Sequence, residues 1–294
     1  MPDQATRLRG IIETRQEARP ESSSAGANRA RTIAVTSGKG GVGKSNVALN
    51  MAIAMSRLGK SVCLLDACLG LGNLDLLCGL NGYWNLSHVV TGARTLKDVV
   101  LEGPDGIHVI PGASGLIELA DCPERVQREL LFQMEELERS HDILIVDTST
   151  GIHRIVRQFA TSADQILLVT TPEATSIADA YATIKALGSP GCPPLDVVVN
   201  QVESAAQAKL IVGRLQQTSK MFLKKSVGFA GHVSRDPAVV DAVANRKPFV
   251  VDSTTCPAAT DIHQLARRVI SNGGSLRTFQ SYFDRFRNDK QRAT

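Results

Sequence analysis

TIAVTSGKGGVGKSNVALNMAIAMSRL (residues 32–58) opens as an apolar run, turns through a glycine-rich loop and continues with apolar residues at helical spacing. A strand, a loop and a helix in that order aim backbone N–H groups and the positive end of a helix dipole at one point. A phosphate chain is held well there. Within it, SGKGGVGKS (37–45) satisfies the spacing G-x-x-x-x-G-K-S/T through Gly38, Gly43, Lys44 and Ser45. Glycines let the loop curl with its N–H groups inward, Lys44 reaches the outer phosphates, and Ser45 offers its hydroxyl to Mg2+. The candidate nucleotide-binding residues are therefore Gly38, Lys39, Gly40, Gly41, Val42, Gly43, Lys44, Ser45 and Asn46. A glycine-rich turn arising by chance would lack the flanking strand and helix.

Outward from this loop, apolar runs alternate with helical ones. TIAVTS (32–37), SVCLLD (61–66), IHVIPG (107–112), DILIVD (142–147), QILLVTT (165–171), DVVVN (196–200) and SVGFAG (226–231) read as strands. Helical patterns fill 44–58, 124–139, 175–187, 204–218, 235–246 and 258–271. Several strands are apolar at consecutive positions, so both of their faces are covered. The fold class is α/β, a P-loop fold whose mostly parallel central sheet carries helices on both faces. Two strands end in aspartate, Asp66 and Asp147, at the end of the sheet where a phosphate-bound Mg2+ sits.

The chain of 294 residues is 43% hydrophobic and 21% charged, which excludes a wholly disordered protein. No run of 18 apolar residues is present to span a bilayer, and MPDQATRLRG lacks the apolar core of a secretory signal, so a cytoplasmic location is expected. Six scattered cysteines form no metal-ligand pair and read as free thiols. The net charge of +4 is carried by the ends, +2 over residues 1–31 and +3 over 275–294, leaving the centre near −1. Direct DNA binding, which wants a basic face on the folded body, is not expected.

That charge pattern divides the chain. Residues 1–19 place Leu8, Ile11 and Ile12 at helical spacing, residues 20–30 are a small, polar linker, and 31–274 form the P-loop domain. In 275–294, Leu276, Phe279, Phe283 and Phe286 fall on one helical stripe among five basic residues. Such a helix suits an anionic membrane surface. A helix docked on the domain's own surface is the alternative.

The second lysine of the loop, Lys39, makes KGGVGKS resemble the deviant Walker A signature of the MinD/ParA family of dimerising ATPases. The resemblance implies ATP and Mg2+ as ligands, a homodimer formed on ATP binding, and Lys39 reaching the partner's phosphates. It makes Lys39, Lys44 and Asp66 catalytic candidates, Ser45, Asp66 and Asp147 the metal candidates, and Asn200, ending DVVVN, the candidate reader of adenine. DILIVDT (142–148) is similar to the family's D-x-x-x-x-D-T motif. LLDACLGLGNLDLLCGL (64–80) is similar to its switch I segment, DxDxGxxNLD, with Cys68 where relatives have an aspartate that orients the attacking water. A neutral thiol is a weak acceptor, so slow hydrolysis is expected.

DQATRLR (3–9), IPGASGLIELA (110–120) and TTPEATSIADAYATIKAL (170–187) resemble the FlhG (FleN, YlxH) branch, which controls flagellar number. That resemblance implies an FlhF-like GTPase of signal-recognition-particle type as partner, stimulated through Gln4, with flagellar basal-body components among the clients. It also implies reversible attachment to the inner face of the membrane through the 275–294 helix. A MinD-like division or polar positioning ATPase, and a nearly non-hydrolysing nucleotide-dependent scaffold, are the other readings.

Overall fold

Continuous runs of Ile, Leu and Val become the buried centre of a single eight-stranded sheet in the computed structural model, which describes residues 29–68, 72–112, 124–188 and 191–272. In chain order the elements are β1 (Arg31–Ser37), α1 (Lys44–Arg57), β2 (Val62–Ala67), α2 (Leu74–Leu77), α3 (Leu86–Val90), α4 (Leu96–Val99), β3 (Leu101–Glu102) and β4 (His108–Ile110). There follow α5 (Glu124–Ser140), β5 (Ile143–Thr150), α6 (Arg154–Ser162), β6 (Gln165–Thr170), α7 (Ala174–Leu187) and β7 (Leu195–Val202). The last elements are α8 (Ala205–Thr218), β8 (Gly228–Ser234), α9 (Pro237–Ala244), α10 (Phe249–Asp252) and α11 (Pro257–Ser271).

The strand order is β3-β4-β2-β5-β1-β6-β7-β8, parallel throughout except where β3 meets β4. β1 therefore lies between β5 and β6, and the loop that follows it opens at the centre of one sheet edge. Alternate residues feed opposite faces. Ile33, Val35, Leu64, Ile145 and Leu167 pack under α1 and α11. Ala34, Ile166 and Leu168 pack under α7 and α8, and Cys63, Leu65, Leu144 and Val146 under α3, α5 and α6. Helix α1 is buried along ten of its fourteen residues, which explains its alanine-rich, almost uncharged composition.

The α/β expectation and its central P-loop are thus realised. Differences lie at the margins. The strand expected at 107–112 shrinks to His108–Ile110 because Pro111 has no N–H to donate, and the one expected at 226–231 is displaced to Gly228–Ser234. α2, α3, α4, α6, α10 and the antiparallel β3 were not foreseen. Gln4, the 20–28 part of the linker, most of IPGASGLIELA, and Leu276, Phe279, Phe283 and Phe286 lie outside the described residues.

Candidate functional site

Strand β1 delivers the loop, and helix α1 begins at Lys44 with Gly43 in the position before it. Gly43 has φ +84°, and a Cβ there would lie 2.3 Å from Asn200 Nδ2; both facts exclude larger residues. Gly38 is excluded from change differently, since its Cβ would sit 2.4 Å from the Asp179 carbonyl oxygen on α7. The loop is therefore pinned between β7 and α7.

Parallel register brings the carboxylates in. Asp66 on β2 is paired with Asp147 on β5, and Val35 of β1 with Asp147, so three strand ends converge beside the loop. Lys44 Nζ donates to Asp147 Oδ1 at 2.5 Å, with both side chains almost fully buried. Burial, the largest single influence, opposes the charge on Lys44, but the charge and hydrogen bond of Asp147 together with its neighbours Cys68 and Asp66 outweigh it and hold the lysine pKa above its usual value. Asp66 is pushed up to about 6, first by burial and then by the negative charge of Asp147, although the backbone N–H groups of Cys68 and Leu74 pull the other way. Asp147 Oδ2 is buried and has no hydrogen-bond partner, an acceptor position suited to a cation or to one of its bound waters. Together with the Ser45 hydroxyl, 3.4 Å from Lys44 Nζ, these oxygens fit a hard divalent ion.

Cys68 closes the cluster. Its Sγ lies 3.9 Å from Lys44 Nζ and 3.7 Å from the Thr148 carbonyl oxygen, and burial pushes its thiol up to about 12. The group at this position is thus a neutral thiol. Thr148 donates to the Val35 carbonyl, while Asp142 accepts from Ser61 N and Oγ at the other end of β5. Of the motif formed by Asp142 to Thr148, only its C-terminal end faces the loop.

Two hollows meet at the loop. One, about 410 Å3, is lined by Ser37, Lys39, Lys44, Ser45, Cys68 and Ser149. The other, about 280 Å3, lies between Gly43 and Asn46 on one side and Asn200, Arg235 and Val240 on the other. Asn200 donates from Nδ2 to the Val42 carbonyl at 2.8 Å and accepts from Gln201 N, so its amide props the loop as well as lining the second hollow. A larger cavity of about 680 Å3, between α4, β4 and α5, shares none of these lining residues.

Lys39 points elsewhere. Its ammonium meets Glu173 Oε2 at 2.5 Å and Thr175 Oγ1 at 2.9 Å, at the start of α7. The lysine is partly exposed, on the outer side of the loop that Lys44 lines from within. Sequence reasoning missed Glu173 and Thr175 as its partners. The stretch reads as the turn between the 165–171 strand and the 175–187 helix, and the neighbourhood of β6 and β1 that brings it to Lys39 is a property of the sheet order.

A family model described as AAA domain matches residues 30–188. The antiactivator FleN of Pseudomonas aeruginosa is 38% identical over 82% of this chain and 86% of its own length. The flagellum site-determining protein YlxH of Helicobacter pylori is 33% identical over 75% of this chain and 74% of its own. The chain belongs to the MinD/ParA family of P-loop ATPases and is FleN/YlxH-like. Among solved structures, a chain of the MinC:MinD cell division protein complex of Aquifex aeolicus superposes with a TM-score of 0.67 at 28% identity, covering 84% of this chain and 98% of that one. MinD of Pyrococcus horikoshii complexed with Mg-ADP, at 22% identity and a TM-score of 0.66, shares the fold.

Proposed function

We propose that this FleN/YlxH-like ATPase is a nucleotide-driven switch that sets flagellar number or placement. ATP lies with its phosphates in the hollow lined by Lys44 and Ser45 and its base in the adjoining hollow beside Asn200. Ser45, Asp66 and Asp147 hold the divalent cation, which offsets phosphate charge, while the backbone N–H groups of residues 38–46 orient the phosphates. Binding brings two copies face to face, and Lys39 leaves Glu173 for the phosphates of the partner subunit. The observation that carries this reading is the division of labour between the two lysines, Lys44 inside the loop and Lys39 outside it.

Dimerisation presents two copies of the 275–294 helix to the inner face of the membrane, and two weak anionic-lipid contacts acting together bind much more tightly than one. The stripe of Leu276, Phe279, Phe283 and Phe286 makes the contact. Gln4, in the N-terminal stretch, reaches an FlhF-like GTPase and orients the water in that partner's site. The test is sedimentation with anionic vesicles and light scattering, with ATP against ADP, beside GTPase stimulation by the parent and by Gln4→Ala. ATP-dependent dimers on vesicles, with stimulation lost in Gln4→Ala, are the expected result. An ATP-independent monomer sinks the reading.

Cys68 favours a second feature within it, slow turnover, so that the bound state outlasts the chemistry. Cys68→Asp is expected to hydrolyse ATP faster than the parent in single-turnover assays with lipid. Equal rates would show that the thiol does not limit hydrolysis.

A further inference from the structure

Asp66, Cys68 and Asp147 each offer a ligand atom, and these atoms all lie within 4.8 Å of one another. Tetrahedral Zn2+ holds sulfur at about 2.3 Å and carboxylate oxygen at about 2.0–2.2 Å, which sets its ligands roughly 3.5 Å apart. The cluster thus needs a closure of at most about 1.3 Å to reach that geometry. Asp147 supplies the second observation, a fully buried Oδ2 with no hydrogen-bond partner, while Oδ1 is engaged by Lys44. The sulfur has long contacts to Lys44 and to a carbonyl oxygen and a hydrogen bond to the Asp66 carboxylate, so the thiol already faces a second member of the cluster.

From this we propose that Cys68 turns the cation position of the ATPase site into one that takes a thiophilic divalent cation, Zn2+ above all, in preference to Mg2+. The inference rests on the nucleotide reading given above and specifies its metal. As the metal–sulfur bond forms, the thiol proton leaves to solvent. A thiolate and two carboxylates then balance a divalent cation and the Lys44 ammonium charge for charge. The fourth position is left to water or a phosphate oxygen. Mg2+ gains nothing comparable, because it demands oxygen ligands in an octahedron and sheds water reluctantly. An aspartate at position 68 would make the site all oxygen, and its preference would revert.

The test uses the full chain without nucleotide, Cd2+ as a spectroscopic probe of thiolate ligation, and Zn2+ in competition with a chromophoric chelator. One equivalent of Cd2+ is expected to raise the ultraviolet thiolate-to-metal charge-transfer band in the parent, in Cys192→Ser and in Cys256→Ser. The band is expected to vanish in Cys68→Ser and Cys68→Asp, with Zn2+ bound about tenfold or more weakly in both and in Asp147→Asn. No band in the parent, or a band that survives Cys68→Ser, overturns the inference. Calorimetry of Mg-ATP with the parent separates the two layers. Mg-ATP binding without the band removes only the zinc proposal, whereas a band without Mg-ATP binding leaves the cation site standing and removes the nucleotide reading.

Discussion

At the scale of the residue, the buried Lys44–Asp147 pair sets the energetics of the nucleotide-free protein. Removing one partner of a buried pair leaves an uncompensated charge, which costs about 3–5 kcal/mol, far more than a surface pair is worth. Lys44→Ala is therefore expected to lower the urea midpoint of the apo protein as well as to abolish nucleotide binding; unchanged unfolding would mean that the pair does not carry the stability assigned to it. Asp66 gives the opposite sign. Its folded pKa of about 6 exceeds the ordinary 3.8, so between those values the folded state holds a proton that the unfolded state has lost. Stability consequently falls as pH rises through that window, by on the order of 3 kcal/mol once both states are ionised. Asp66→Asn is expected to remove the fall and to be the more stable protein at neutral pH in metal-free buffer. Parallel pH profiles for the two proteins would dispose of it.

At the scale of the element, the loop between β1 and α1 is a short segment held from two sides. Gly43 pays for a side chain twice, through φ +84° and through Asn200 Nδ2 at 2.3 Å from its Cβ position. Gly43→Ala should therefore destabilise strongly, and Asn200→Ala in the same chain should recover the steric part while leaving the backbone cost of roughly 1–2 kcal/mol. Thermal unfolding of the single and double variants measures the coupling, and strict additivity would mean that the two residues do not meet. This contact also shows what was legible beforehand. The strand, loop and helix of 32–58 carry strong local signals, apolar continuity and a fixed spacing of glycine and lysine, and so could be read directly. Asn200 was noticed at a strand end, but its role as a prop for Val42 depends on β7 lying two strands from β1, which no local pattern encodes. The short helices α2 to α4 escaped notice because four or five residues hold little periodicity, and their caps at Asn85 and Thr95 are ordinary turn residues too. Likewise Asp66 and Asp147 were readable as strand ends, whereas the missing partner of Asp147 Oδ2 is a property of packing alone.

At the scale of the whole molecule, the sheet order places β1 between β5 and β6, and so sets one lysine on each side of the loop. Lys44 is tied to β5 within the fold, while Lys39 rests on Glu173 at the start of α7. The two ion pairs are equally short but differ in setting. The Lys39 pair leaves 36% of the lysine and 65% of the glutamate side chain open to solvent, where screening reduces such a pair to about 0–1 kcal/mol. A contact of that size is easily exchanged for a triphosphate, whose several negative charges attract the ammonium more strongly than one carboxylate. Lys39→Ala is accordingly expected to change folding stability by no more than about 0.5 kcal/mol and to leave ATP binding by the monomer in place, yet to abolish ATP-dependent self-association. Glu173→Gln frees the lysine without removing it, so it is expected to dimerise at lower ATP concentration than the parent. Light scattering across an ATP titration, with urea unfolding of the same three proteins, reads both effects. Dimerisation of Lys39→Ala at the parent's ATP concentration would place this lysine outside the interface and require another residue to complete the phosphate cage.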